Sequence, residues 1–199
     1  NNYAQSLNKN ISGGVIYNTG TINNIIGNFS ENNSNAEKNI YGGTVYNKDG
    51  IINSITGDFT GNHANAKGNI NGGVLYQNGT LENIIGNFTN NYAISTNAST
   101  FGGAIINFKP IGNITGSFTG NHSISESDSY LAYGGAIQAQ ADIKFSSGDK
   151  VRFMSGNYIK DNVRGKNYNA IFVGSYAADS EPKININTNE GGAWVINDN

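Results

Sequence analysis

The chemistry open to this 199-residue chain begins with its 14 carboxylates and 2 histidines, because it has no cysteine to act as nucleophile, thiolate ligand or disulfide partner. Glycoside cleavage needs two carboxyl groups facing each other across a bond, one of them raised in pKa. Asp58 and Glu82 are the outward acids of the most regular segments, but they occupy different positions of the pattern described below and read as solvated charges. Asp142, Asp149 and Asp161 are a closer group, interleaved with Lys144, Lys150 and Lys160, and they keep open an alternative reading as a carbohydrate-active enzyme, a polysaccharide lyase or glycosidase. His63 and His122 each follow the string Phe-Thr-Gly-Asn, with Tyr92 at the matching place between them. If each string fills one layer of a stacked fold, the two imidazoles lie two strand spacings apart, roughly 10 Å. A metal needs its ligands at about 2 Å, so they are expected to be turn residues. Neither sits in a Ser-His-Asp arrangement. Phosphate-binding and nonapeptide calcium motifs are missing as well. No catalytic residue, metal ligand or cofactor is therefore assigned. Acceptor triplets for glycosylation, such as Asn28-Phe-Ser30 and Asn87-Phe-Thr89, follow from the abundance of Asn, Ser and Thr alone.

What could position such residues is visible as self-similarity. Glycine pairs recur at Gly13/Gly14, Gly42/Gly43, Gly72/Gly73, Gly102/Gly103 and Gly134/Gly135, each opening an apolar run. A second signature follows the first four in phase: Phe29-Ser-Glu-Asn32, Phe59-Thr-Gly-Asn62, Phe88-Thr-Asn-Asn91 and Phe118-Thr-Gly-Asn121. Aligned on the Phe, the columns are Ile22, Ile52, Leu81, Ile111, then Ile25, Ile55, Ile84, Ile114, then Gly27, Gly57, Gly86, Gly116. Read as period two, Ile, Gly and Phe share one face and the Asn, Ser and Thr between them the other, which is the pattern of a half-buried strand. The second repeat carries one extra residue in Asn47-Lys-Asp-Gly50, where a solenoid tolerates insertion.

Composition agrees. Charged residues are 13% of the chain, glycines number 27, and the balance of 12 basic against 14 acidic residues, with Arg152 and Arg164 the sole arginines, leaves no stripe able to neutralise nucleic-acid phosphates. No apolar run is long enough to span a membrane as a helix, and no export leader precedes Asn1. Because Asn1 is not an initiator methionine, a fragment or processed form is expected.

A unit of about 30 residues with about three short strands cannot bury its own apolar face, whereas stacked copies bury each other's. The predicted fold is all-β: one right-handed parallel β-helix over 1–199, one repeat per coil, regular over 11–133 and degenerate over 134–199. Asn32, Asn62, Asn91 and Asn121 are expected to form an amide ladder at a bend. In the fifth unit the partner of Gly134-Gly135 is either Phe153 or Tyr158-Ile-Lys-Asp161, with Asp161 replacing the ladder Asn; Asn169-Ala-Ile171-Phe-Val173 is a decayed glycine-pair strand. After Ser180-Glu-Pro182, the segments Ile184-Asn-Ile186 and Gly191-Gly-Ala-Trp194-Val-Ile196 form the final coil. Tyr17, Tyr46 and Tyr76 stand one residue past the inward Ile16, Val45 and Leu75, so alternation turns them outward on three successive coils, where they are the candidate ligand-binding row. The connections 33–41, 63–71, 92–101 and 122–133 are a second candidate surface.

Gly-Gly followed by small or apolar residues, alternating with Phe-x-x-Asn over roughly residues 11–162, resembles the repeat of the polymorphic outer membrane proteins, bacterial autotransporters known best from chlamydiae. The resemblance implies a secreted β-helical passenger displayed at the bacterial cell surface, acting as an adhesin or binding scaffold toward a protein or glycan on a host or neighbouring cell. It also implies a linked outer-membrane barrel beyond these residues. A structural spacer that holds another domain away from the cell is the remaining alternative.

Overall fold

Phe29, Phe59, Phe88 and Phe118 lie over one another in the computed structural model, with ring centroids 4.8, 4.5 and 4.7 Å apart and planes within 6° of parallel. That column requires the chain to return to the same point on every turn, and it does. Each strand pairs in parallel with its equivalent one coil on, as in Phe59 with Phe88 and Phe88 with Phe118. The structure describes residues 1–174, 182–188 and 192–197. Among the described residues there is no helix, and four sheets run the length of the stack. The fold is a parallel β-helix of about six coils.

Sheet 1 contains Tyr3–Ser6, Asn33–Ala36, His63–Ala66, Tyr92–Ser95, His122–Ser125 and Tyr158–Asp161. Sheet 2 is made of two-residue strands: Ile11–Ser12, Ile40–Tyr41, Ile70–Asn71, Thr100–Phe101 and Ala132–Tyr133. Sheet 3 holds the run after each glycine pair, continuous in Val45–Thr56 and Leu75–Ile85 and broken in two elsewhere. Sheet 4 holds Phe29–Ser30, Phe59–Thr60, Phe88–Thr89 and Phe118–Thr119 together with Val151–Ser155 and Ala193–Asn197. The expected three strands per coil are thus four, because a strand of two residues shows no alternation to detect. The segments expected as variable connections, 33–41 and its equivalents, are largely the strands of sheets 1 and 2.

The interior has two compartments. Between sheets 3 and 4, bulky columns pack to nearly zero exposure: Ile52, Ile55, Ile84, Ile114, Phe59, Phe88 and Phe118 are fully buried. Between sheets 1 and 2, Ala36, Ala64, Ala66 and Ala93 face Ile11, Ile40 and Ile70 in a thinner layer. The glycine pair joins the compartments. Gly14 and Gly103 lie in the bend ahead of Ile16–Asn18 and Ile105–Asn107, and the two members of a pair do different work. The first is left-handed, as Gly42 with φ +60°, a turn that a side chain disfavours. The second is not left-handed and is required by close approach of the next coil. A Cβ on Gly14 would stand 2.3 Å from the Gly43 carbonyl, one on Gly43 2.3 Å from the Gly73 carbonyl, and one on Gly103 2.1 Å from the Gly135 carbonyl. The Gly27, Gly57, Gly86, Gly116 column is not an inward position of a continuous strand, as strict alternation predicted. It is a corner between sheets 3 and 4, where a Cβ on Gly86 would meet the Gly57 carbonyl at 2.0 Å.

The corners explain the asparagine content. In the expected ladder, Asn32 Nδ2 donates to Asn62 Oδ1 (2.7 Å), Asn62 to Asn91 (2.8 Å) and Asn91 to Asn121 (2.9 Å), while each Nδ2 from Asn62 onward also reaches a Phe carbonyl of the preceding coil. Three further ladders were not foreseen. Asn18 donates to Asn47 (2.9 Å) and Asn47 to Gln77 (3.0 Å), all three buried, at the kink within sheet 3. At the outer corners, the side-chain oxygens of Asn28, Asp58 and Asn87 accept the backbone N–H of Asp58, Asn87 and Ser117, and those of Asn10, Asn39 and Asn69 accept that of Asn39, Asn69 and Ser99. Each of these side chains satisfies a bend whose backbone no strand can pair.

The extra residue of the second repeat is absorbed where the sequence places it. The register between the two long strands of sheet 3 slips at Asn78/Thr80, and Asp49 takes φ 57°. In the fifth coil Met154, not Phe153, fills the Phe column, and Phe153 is 44% exposed. Asn157, not Asp161, continues the ladder, 36 residues after Asn121. Longer spacing hid it, since no Phe stands three residues before. Ile171–Val173 pairs with Ile137–Ala139, as its resemblance to a glycine-pair strand indicated. Ile184–Asn187 and Ala193–Asn197 stack on Ile143–Ser146 and Val151–Ser155 as the final coil, while Ser180, Glu181 and Gly191 lie outside the described residues. Gly165–Tyr168 folds back antiparallel on Tyr158–Asp161 and covers the edge of sheet 1.

Candidate functional site

The left-handed glycine at each Gly-Gly pair turns sheet 2 against sheet 3 so that their outer faces meet in a concave corner. Tyr17, Tyr46 and Tyr76 lie on the sheet 3 side in direct register, pointing away from both interior compartments. Alternation placed them correctly but overstated their exposure. Tyr17 is 48% exposed, Tyr76 is half-buried, and Tyr46 retains only 8%. Tyr41, on the sheet 2 side, leans across the corner onto both, with centroids 6.1 Å from Tyr46 and 5.7 Å from Tyr76. Tyr46 meets Tyr17 and Tyr76 edge to face at 5.3 and 4.6 Å, and Phe108 closes on Tyr76 at 5.4 Å. Farther along, Phe101 stacks on Tyr133 at 5.3 Å, and Tyr133 meets Phe172 edge to face at 5.1 Å. An aromatic spine therefore fills the outer corner over several coils.

Burial pushes the Tyr46 hydroxyl up to about 12, with Tyr76, Tyr17, Asp49 and Tyr41 adding to it. Burial, then Tyr41 and Asp49, raises Tyr76 as well. These rings stay neutral hydroxyl donors and acceptors across the physiological range, next to one carboxylate. Tyr41, Phe101 and Tyr133 were missed in the sequence. The signal was there, for each immediately precedes a Gly-Gly pair.

The remaining candidates do not converge. His63 and His122 are strand residues and not turn residues. The ladder Asn ahead of each already makes the bend, so the chain is extended by the time it reaches them. His63, Tyr92, His122 and Tyr158 form an outward column on sheet 1, ring centroids 3.9, 5.1 and 4.8 Å apart, each ring facing the next. Burial lowers both imidazole pKa values; Glu31 opposes this at His63, and at His122 the Gly120 carbonyl opposes it while His63 and Lys166 reinforce it. Asp161 pairs with Arg164 at 2.7 Å and also accepts its Nε–H and backbone N–H. Burial pushes this carboxyl up, but the hydrogen bonds from Arg164 and the Ala132 N–H, with the Arg164 charge, hold it below the usual carboxylate value. Asp142 accepts the Lys183 backbone N–H, and Asp58 is occupied in its corner ladder. Among the described residues no three His, Asp or Glu side chains come together as a metal would require. Comparison of the chain with protein-family models, with curated proteins and with solved structures found no match.

Proposed function

We propose that this protein is a non-enzymatic binding scaffold, a surface-displayed passenger segment that acts as an adhesin through its aromatic corner. The observation carrying this reading is the row Tyr17, Tyr46, Tyr76 with Tyr41 and Phe108, a contiguous aromatic cluster outside both interior compartments, in which Tyr17 and Tyr76, the ends of the row, stay partly open to solvent. Tyrosine joins a large rigid contact area to a polar tip at low entropy cost, which suits recognition in water. The partner on this reading is a protein or glycan at the surface of a host or neighbouring cell, and the rod is carried by an outer-membrane barrel elsewhere in the protein. Binding of the labelled 199-residue chain to cultured epithelial cells and to bacterial cells tests it. The wild-type chain is expected to bind one of the two, and Tyr17→Ala combined with Tyr76→Ala to reduce binding at least about ten-fold while the β-sheet circular dichroism is unchanged. Equal binding by that variant overturns the assignment of the corner.

The unbroken amide ladders favour a second reading, a stiff spacer. Wild-type protein that binds neither cell type selects it.

A further inference from the structure

We infer that the aromatic corner takes a neutral, linear polysaccharide lying along the coil axis; this rests on the reading of that corner as the binding surface and names its ligand. Three features of the corner bear on the choice. The first is the repeat: rings recur on the sheet 3 side at Tyr17, Tyr46 and Tyr76, one per coil, with Tyr17 and Tyr76 partly exposed two coils apart and Tyr46, 8% exposed, packed edge to face between them. A chain of pyranose rings presents apolar C–H faces and hydroxyls on every residue, so it can rest on the partly exposed rings Tyr17 and Tyr76 and span the covered Tyr46 between them.

The second feature is the polarity of the rim. The ladder Asn10, Asn39, Asn69 flanks sheet 2, and each side-chain oxygen is already taken by the backbone N–H of the next coil, at 3.1, 2.8 and 3.0 Å. The amide NH2 groups are what this row offers to a ligand, and Asn39 Nδ2 reaches toward the Tyr41 hydroxyl at 3.4 Å. The corner is therefore edged by donors spaced one per coil, matched to hydroxyl oxygens. The third feature is charge. Asp49 acts on both Tyr46 and Tyr76. Among the described residues no cation lies over Tyr17, Tyr41, Tyr46 or Tyr76, whereas Arg164 sits over Tyr133 and Lys166 over Tyr158. A sulfate or uronate set beside Asp49 would meet a like charge, and the lysines of this part of the chain are Lys48 next to it and Lys9 and Lys38 beside Asn10 and Asn39 at the rim.

The test is titration of the 199-residue chain with cellohexaose, mannohexaose and N-acetylchitohexaose, followed by calorimetry and tyrosine fluorescence, with a heparin hexasaccharide and decaproline as comparators. At least one neutral hexasaccharide is expected to bind about ten-fold more tightly than either comparator. Tyr17→Ala should weaken that binding about five-fold or more, and Asn69→Asp, which keeps the ladder acceptor but removes the NH2 donor, should weaken it measurably. Tighter binding of heparin, tighter binding of decaproline, or no binding of any neutral hexasaccharide overturns the inference. In those cases the cell-binding assay separates the two claims. Loss of cell binding in the Tyr17→Ala, Tyr76→Ala protein keeps the corner as the site with another ligand, and unchanged cell binding removes the site itself.

Discussion

The first coil and the third are built from matching residues in matching columns, yet they are not equally buried. Ile84 and Phe88 of the third coil are fully covered, while Ile22 and Ile25 of the first are only partly buried and Phe29 keeps 9% exposure. The residues did not change; the number of neighbouring coils did. Apolar burial in this protein is supplied by the layer above and the layer below, so the stability of a side chain depends on its place in the stack more than on its own contacts within a coil. The C-terminal coils meet the same problem by changing residues: Met154 follows Phe118, Phe145 turns edge-on to the Phe118 ring at 6.1 Å, and Trp194 turns edge-on to Phe145 at 5.6 Å.

This contrast can be broken by truncating equivalent residues. Phe88→Ala should cost about 3 to 5 kcal/mol in urea unfolding, since the ring loses stacked partners on both faces, whereas Phe29→Ala, stacked on one face, should cost about 1 to 2 kcal/mol. Equal costs would mean that position in the stack does not matter. Next in size is the buried ladder. Asn91→Ala removes the acceptor of the Asn62 N–H and Nδ2 and the donor to Asn121 Oδ1 and the Phe59 carbonyl, and should cost about 3 kcal/mol. Asn87→Ala, in an exposed corner, should cost about 1 kcal/mol or less by the same measurement.

The outward column on sheet 1 supplies a pH-dependent version of the comparison. With folded-state imidazole pKa values lowered, the unfolded chain takes up protons first; stability is at its full value above the ordinary histidine value of about 6.5 and falls as pH drops through the lowered values. Replacing His63 and His122 by Tyr, the residue already at 92 and 158 in this column, should flatten the denaturation midpoint below about pH 6.5, and an unchanged slope would show that the imidazoles are not its source. The smallest effect is expected at Glu31, which holds φ 52° where the equivalent Gly61 and Gly120 hold φ 60° and 63°. Glu31→Gly should raise stability by about 0.5 kcal/mol despite losing the bond from Asn1.

The architecture was legible because the largest inward residues recur with Gly-Gly and Asn in fixed phase, and three independent columns cannot share a period unless the chain closes on itself at each turn. The two-residue strands of sheet 2 were not legible, since two residues carry no periodicity. Nor was the continuation of the ladder at Asn157, because the 36-residue coil before it breaks the spacing that identifies the others. The division of labour within a glycine pair was hidden too: Gly13 and Gly14 are the same letter, and only the neighbouring coil tells the turn from the notch. Half of the aromatic corner was visible. Tyr17, Tyr46 and Tyr76 follow from alternation along one strand, but Tyr41 joins them only through the angle between two sheets, and a single strand's pattern holds no information on that angle.

Coils two, three and four offer one another interchangeable surfaces: the same amide, the same ring, the same glycine notch. A chain that zips layer upon layer from such parts can misalign by a whole layer and lose little, so something must break the translational symmetry. The bulge at Asp49-Gly50 does so, since it fits the strand beside Gly79 only when those two layers are adjacent. Its one additional residue works as an index mark, telling each layer which of its near-identical neighbours it belongs beside.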